Sequence, residues 1–592
     1  MPDRKAPSVE TPSEQTSETW KHIPWRKLER HCFRIQKRIF RASQQGNQRA
    51  VHKLQKLLMK SKAARAIAVR RVTQDNQGKK TAGVDGKTAL HAHQRLALVH
   101  EIHPTHWPKK ATPVRRIYIP KPGKKEHRPL GIPTVAERAR QMLVKLALEP
   151  EWEAKFEPNS YGFRPGRSGH DAIEAIFKSI VRKNKYVLDA DIAGCFDHIN
   201  HDALVEKLST YPQLAQAIKA WLRAGALDGD VFVETTSGTP QGGVISPLLA
   251  NIALHGMETA IIQAYPSGQQ PHVVRYADDF VVLHPTEEGV RKAQGRAAAW
   301  LADMGLEMKA SKTRIAHTLH PINGQVGFDF LGFTIRQFSQ GKSQSGKDGH
   351  GKPLGFKTLI KPSQEKVKEH LRALASTVQM FKASSQEQVI GALNPQIVGW
   401  SNYYRCVVAK ETFSDCDSVL YHILRSWARR RHPNKNMHWI MGKYWAVDHH
   451  EGWKFKAATG YVLKRHTATP ITRHIKVRGK ASPYDGNLIY WAQRLRAHPM
   501  MHSTVGKLLY AQHGQCAWCG LYFRAGDLLE IAHIRPSSQG GKNEWHNLRV
   551  IHRHCHDQRH RTYEKGYATE ELDESKDSCP VLKTSAGGDS CV

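Results

Sequence analysis

The segment HVVRYADDFVVLH (272–284) restricts this chain more than any other. Apolar, β-branched runs flank the short polar unit Ala277-Asp278-Asp279, the pattern of a tight hairpin whose tip presents two carboxylates. Adjacent acids at such a tip repel one another unless a cation holds them. In isolation an Asp-Asp turn reads as a solvated turn. A second segment changes that reading. YVLDADIAGCFDHI (186–199) begins as an apolar strand, and its period of two puts Asp189 and Asp191 on one face, opposite Leu188, Ala190 and Ile192. If the two elements adjoin, Asp191, Asp278 and Asp279 form an all-oxygen site for two hard cations. Two Mg²⁺ ions about 3.5–4 Å apart are the arrangement that activates a 3′-hydroxyl and stabilises leaving pyrophosphate.

Charge supplies the second constraint. Lys and Arg number 89 against 53 Asp and Glu, a net +36 with a pI near 9.9. That excess points to a polyanionic partner, nucleic acid first and an anionic membrane surface second. No window approaches the roughly 20 apolar residues of a membrane helix, and residues 1–19 lack the apolar core of a secretory signal. At 592 residues, with roughly 100–200 per domain, three to five domains are expected. Four cysteines are scattered (Cys32, Cys195, Cys406, Cys416), and a CxxC pair near the C-terminus reads as intracellular metal chemistry.

Along the chain, residues 1–19 read as a solvated tail. Residues 20–71 carry sixteen Lys and Arg against the single acid Glu29. Leu28, Ile35 and Ile39, then Val51, Leu54 and Leu58, recur at helical intervals and predict two amphipathic helices with cationic outer faces. A mixed strand and helix region follows to residue 336, then a Gly/Ser/Lys-rich stretch (337–353) that reads as a linker or long loop. Residues 354–460 are helical and aromatic-rich, with GWSNYYR and the basic WARRRHPNK. A basic stretch (461–505) is expected to contact DNA, and 579–592 is a second tail. In the unit 506–578, Cys516 and Cys519 are followed by His552 and Cys555, a Cys₃His set suited to tetrahedral Zn²⁺. The alternative, a redox CxxC, lacks the βαβ setting that chemistry needs.

With these residues in view, the chain resembles the reverse transcriptases, and among them the group II intron-encoded subset. YADD (276–279) follows a DxxxxF element (191–196). Around them stand AGVDG (82–86), RRIYIPKPGKKEHRPLGIP (115–133), YGFRPGRS (161–168), SGTPQGGVISPLLANI (237–252), LEMKASKTRI (306–315) and FDFLGF (328–333), in order. LNPQIVGWSNYYR (393–405) resembles the maturase, or X, domain that serves as thumb. The resemblance implies an α+β, right-hand polymerase: fingers and palm over 20–336, and a helical thumb over 354–460. It makes Asp191 and Asp278 metal-binding aspartates with Asp279 as third acid. Phe196 becomes the aromatic that rejects a 2′-hydroxyl, Lys121 and Arg128 triphosphate contacts, and Gln241 a neighbour of the base pair or sugar. Lys312 reads equally as a template or primer contact and as a surface lysine. Arg429, Arg430, Arg431 and Lys435, with residues 20–71, would hold RNA.

The C-terminal unit resembles the HNH nucleases, a zinc-stapled ββα-metal module. LEIAHIRPSSQGGKNEWHNLRVI (529–551) runs into CHDQRH (555–560). The resemblance makes His533 the general base, Asn547 the brace of the loop, and His556 a ligand of the nuclease ion. His560, one turn on, is a second candidate ligand. The family often places Asp or His just before the base; here Ala532 stands there. Glu530, an odd number of positions from His533, is expected on the opposite strand face. Nicking is therefore expected to be weak and to need ample Mg²⁺ or Mn²⁺.

Taken together, the resemblance implies a multifunctional protein that binds its own group II intron RNA, aids splicing, nicks target DNA and copies RNA from that primer with dNTPs. Its cofactors would be two Mg²⁺ ions, one structural Zn²⁺, and Mg²⁺ or Mn²⁺ at the nuclease centre. It would work without a membrane partner, as a monomer or homodimer, in a cytoplasmic nucleoprotein of a bacterium or organelle. A splicing cofactor with weak or lost enzymatic activity, and a reverse transcriptase of another bacterial lineage, are the alternatives.

Overall fold

The computed structural model describes residues 20, 22–88, 90–120, 126–229, 231–341, 343–448 and 452–564. Both expected tails, residues 565–578 and Lys121 lie outside them. Three helices, rather than two, carry the cationic N-terminal region: Trp25–Gln44, Gln48–Lys60 and Lys62–Arg70. The extra break follows from side-chain capping, because the Ser61 hydroxyl accepts the Ala64 N–H (3.1 Å) just as Asn47 accepts that of Ala50 (3.0 Å). Ile35, Ile39, Val51, Leu54 and Leu58 are buried, while Arg26, Lys27, Arg30, Arg34, Arg38 and Arg41 line the exposed side of the first helix.

The mixed region contributes β1 (Val114–Pro120), β2 (His127–Ile132), β3 (Tyr186–Asp191), β4 (Ala226–Asp228), β5 (Val231–Val233), β6 (His272–Tyr276), β7 (Asp279–His284) and β8 (Arg314–His317). They form two four-stranded sheets, ordered β2-β1-β4-β5 and β6-β7-β3-β8. The second sheet is covered on both faces. Leu188, Val273, Phe280 and Val282 belong to one hydrophobic core, and Val187, Val274, Val281 and Leu283 to another. Two buried faces explain why these strands read as nearly continuous apolar runs.

Next come β9 (Phe328–Phe330), β10 (Phe333–Ser339) and β11 (Phe356–Pro362), a three-stranded sheet ordered β11-β10-β9. The stretch read as a linker or long loop (337–353) is the second of these: past the end of β10 it forms the connection of a β-hairpin, with Ser339 paired to Phe356. Its polar composition suits a loop whose ends are tied by ladder hydrogen bonds. The expected thumb has its own core: helices Gln364–Met380, Gln386–Tyr404 and Lys410–Arg431 enclose Leu374, Leu393, Ile397, Leu424 and Trp427. A small hairpin, β12 (Trp445–Asp448) and β13 (Gly452–Phe455), closes it. No helix among the described residues is long and apolar enough to cross a membrane.

Much of the basic stretch 461–505 is strapped onto the palm. The buried Asp171 carboxylate accepts from His474 (3.0 Å), the Val477 N–H (2.8 Å) and Arg494 (3.0 Å), and Arg167 donates to the Gly479 carbonyl (2.9 Å). The last module pairs β14 (Leu529–His533) with β15 (Leu548–His552), followed by the helix Arg553–Glu564. It leans on the N-terminal helices through Glu29, the one acid of that region. Buried Glu29 bridges Arg70 (2.6 Å) and Arg524 (2.7 Å), and Gln558 donates to the Ile23 carbonyl (2.9 Å). Burial alone would raise the Glu29 pKa, but Arg70 and Arg524 together hold it well below the usual carboxylate range. Glu29→Ala would leave Arg70 with Asp75 alone (3.1 Å) and Arg524 with only the more distant Asp527 (4.0 Å), and breaking a buried pair in this way costs about 3–5 kcal/mol. Hydrogen exchange over residues 524–532 should then quicken while the palm stays protected; unchanged exchange there would contradict the bridge.

Candidate active site

The ladder between β3 and β7 sets Asp191 directly opposite Asp279, so both carboxylates leave the same face. β6 and β7 join through the two residues Ala277 and Asp278. Ala277 takes φ +55°, a left-handed conformation that costs an L-residue about 1–3 kcal/mol, so its surroundings must enforce it. They do. The buried Arg275 guanidinium donates to the Ala277 carbonyl (3.1 Å) and to Asn251 Oδ1 (3.1 Å), and Asn251 Nδ2 donates to the Gly162 carbonyl (2.8 Å). A Cβ on Gly162 would lie 2.3 Å from the Ala277 nitrogen, so only glycine fits there. Arg275 and Asn251 escaped the sequence reading. The signal was an Arg inside an apolar strand and an Asn inside an apolar helix, both of which need a buried partner.

Electrostatics at the tip favour a bound cation. Burial, then Asp278 and Asp191, pushes Asp279 up to about 7, and burial followed by Asp191 also raises Asp278. Lys312, on the surface, stands against Asp191 in an ion pair. Asp189 is held aside by Arg314 (3.0 Å). The three aspartates share a neighbourhood without closing to coordinating distance. Among the described residues, the Cys/His set below is the one group of three or more such ligands that does so.

The remaining palm candidates surround this tip. Arg128 is exposed on β2, and its charge opposes the rise that burial imposes on Asp278. Phe196, on the short helix Cys195–His198, packs edge-on against Phe163 at 6.0 Å between centroids. Gln241 donates to both carboxylate oxygens of Asp197 at 3.2 Å. On the thumb, Arg429, Arg430 and Lys435 are exposed. Arg431, half-buried, also donates to the Ser384 carbonyl (2.8 Å) and lies over the Trp427 ring.

In the C-terminal module, Cys516, Cys519, His552 and Cys555 are all buried, with their ligand atoms within 4.8 Å of one another. His552 Nε2 also meets Asp527 (3.4 Å), the carboxylate partner that a metal-binding imidazole commonly has. Asn547 pins the loop before β15: it accepts the Arg535 N–H (2.7 Å) and donates to the Arg535 and Lys542 carbonyls (3.1 and 2.8 Å). His533 contacts Asn543 (3.3 Å). His560 lies on the following helix, and its side chain is outside the described residues. Glu530 has partners on the following helix. Its Oε2 accepts from His556 Nδ1 at 2.8 Å, and its Oε1 takes Arg553 at 2.6 Å. Parity along the strand separates Glu530 from His533, but the helix packs on that strand and brings His556 to the glutamate.

Comparison with known proteins agrees with this arrangement. Family profiles match as the N-terminal domain of reverse transcriptase (residues 20–102), reverse transcriptase or RNA-dependent DNA polymerase (119–335), the group II intron maturase-specific domain (366–445) and HNH endonuclease (516–562). The group II intron-encoded protein LtrA of Lactococcus lactis subsp. cremoris is 28% identical over 376 residues, which cover 51% of this chain and 61% of that protein. Protein YkfC of Escherichia coli (strain K12) is 33% identical over 309 residues, covering 45% of this chain and 78% of that one. Maturase-like protein 1 of Euglena gracilis is 26% identical over 323 residues, covering 54% and 65%.

Because Asp279 holds a proton up to about pH 7, divalent binding at the tip should weaken as pH falls through that value, protons and cations competing for one carboxylate. Mn²⁺ titrations followed by electron paramagnetic resonance, at pH 8 and pH 6 (about one unit either side of that value), would measure it. Equal affinity at both would overturn the coupling.

Proposed function

This chain belongs to the group II intron-encoded reverse transcriptases and maturases, and we propose that it copies RNA into DNA at Asp191, Asp278 and Asp279. The observation that carries this reading is the β3–β7 register, which sets Asp191 against the acidic hairpin tip. The donor set is all oxygen, which fits hard cations such as Mg²⁺. Bound there, such ions supply the Lewis-acid chemistry for attack by a primer 3′-hydroxyl. The chain's own residues bind and orient. Phe196 crowds the sugar and excludes a 2′-hydroxyl, Gln241 approaches the same sugar or base, and Arg128, with Lys121, offsets charge on the incoming triphosphate.

Maturase action asks for no catalytic residue. It asks for a cationic surface, which the exposed face of the first helix and Arg429, Arg430 and Lys435 provide for the intron RNA. In the C-terminal module, three buried thiols and one imidazole fit Zn²⁺ better than a hard cation. We assign DNA nicking to the neighbouring ββα unit: His533 takes the proton from water, Asn547 holds its loop, and His556 serves the nuclease ion with Glu530 beside it. A strand nicked there would prime copying in the palm.

Two experiments test these assignments on the full chain. Asp278→Asn or Asp191→Asn should abolish primer extension on an RNA template while filter binding of intron RNA stays within about twofold, since phosphate contacts lie on distant cations. Extension at the wild-type rate would overturn the palm assignment. Cys519→Ser should take zinc, measured by elemental analysis, from one per chain to well below it, and should lower the thermal midpoint, because structural zinc contributes folding free energy directly.

A further inference from the structure

Between the thumb, the strapped segment and the C-terminal module lies a cavity of about 630 Å³ that none of these roles uses. Its volume falls in the roughly 300–1,000 Å³ range of sites for compact ligands, too small for a duplex. The wall comes from segments far apart in sequence: Arg405 after the helix Gln386–Tyr404, the strap around His474 and His498, the helix Ser503–Ala511, and Trp545. No lining residue is Asp or Glu, whereas Arg405, Arg473, Arg496 and Lys507 all contribute.

Arg473 is already paired with Glu174 (3.1 Å). Arg405 donates through Nη2 to Thr472 (3.1 Å), a hydroxyl that leaves its charge without a counter-ion. Two large aromatics are also held out at the rim: Tyr510 is 69% exposed and Trp545 49%. The Arg496 guanidinium lies 4.5 Å from the Tyr510 ring centroid, keeping that ring in place. Cations without acids and presented aromatic faces form the combination that binds a phosphate and stacks a base.

We propose that this cavity receives an unpaired nucleotide of the DNA strand led to the HNH centre. The base stacks on Tyr510 and Trp545, and the phosphates meet Arg405, Arg496 and Lys507. DNA rather than RNA follows from position: Trp545 stands two residues before Asn547, in the loop whose Asn543 contacts His533. The choice of DNA thus rests on the nuclease reading proposed above and is independent of the palm.

The test uses the full chain and a short fluorescein-labelled single-stranded oligodeoxynucleotide, with the RNA of the same sequence as a second arm. Anisotropy is read at about 0.3 M salt, where exposed phosphate contacts are screened and stacking persists. Tyr510→Ala and Trp545→Ala should each weaken DNA binding about tenfold, and Tyr510→Phe, which keeps the ring, should bind like wild type. Circular dichroism and the thermal midpoint establish that each variant folds. Wild-type DNA affinity in both alanine variants would overturn the site. A Tyr510→Phe variant as weak as Tyr510→Ala would overturn stacking as its basis. Losses confined to the RNA arm would overturn the DNA assignment. Failure of primer extension by wild type would overturn the palm reading and leave this binding contrast standing.

Discussion

The pairing of β3 with β7 is the constraint on which the rest of the molecule depends. A strand register shifted by one residue sends every side chain to the other face. Here that shift would carry Val187 and Leu188 into the wrong cores and turn Asp191 away from Asp279. Hydrophobic burial on both faces of the sheet therefore fixes the geometry of the charged tip. The cost of three neighbouring acids and a left-handed Ala277 is borne by that buried sheet and by the Arg275–Asn251 brace. Lys312 supplies a positive charge at Asp191, the place where a cation would otherwise be asked to stand.

Net charge imposes the second condition. A chain with an excess of +36 must spread like charges over its surface and still close its cores. The N-terminal helices manage this by facing most of their cations outward and placing their single acid in an internal bridge with the buried Arg70. Glu29 joins Arg70 to Arg524, so residues near the two ends of the chain meet in one buried ion network. Removing charges from water is expensive, and such bridges specify a docking geometry more surely than they stabilise it. The C-terminal module is thereby held beside the reverse transcriptase domain, with the cationic cavity at its other border.

The two centres were legible in the sequence to different degrees. At the palm, period-two alternation sufficed to place Asp189 and Asp191 on one face, and the hairpin pattern located Asp278 and Asp279. The braces were harder to see, since Arg275 and Asn251 act through partners about 25 and 90 residues distant. In the C-terminal module, strand parity separated Glu530 from His533 and missed that a packed helix would carry His556 to the glutamate. The stretch 337–353 left two readings open, a linker and a long loop. Composition identifies a segment that buries little, and it cannot say whether the ends of that segment are tied to each other or to different domains.

What the sequence determined by itself was local: alternation, helical periodicity, ligand spacing, and the ordered motifs that mark the family. These depend on residues within a few positions of one another, where backbone geometry is nearly fixed. The tertiary structure alone decided which charges meet. Glu29 with Arg524, Asp171 with His474 and Arg494, and Lys312 with Asp191 each join segments more than a hundred residues apart. Such pairs have no periodicity to announce them. They form because burial of the cores brings their backbones together, and a charge drawn inside with them must find its opposite or stay in water.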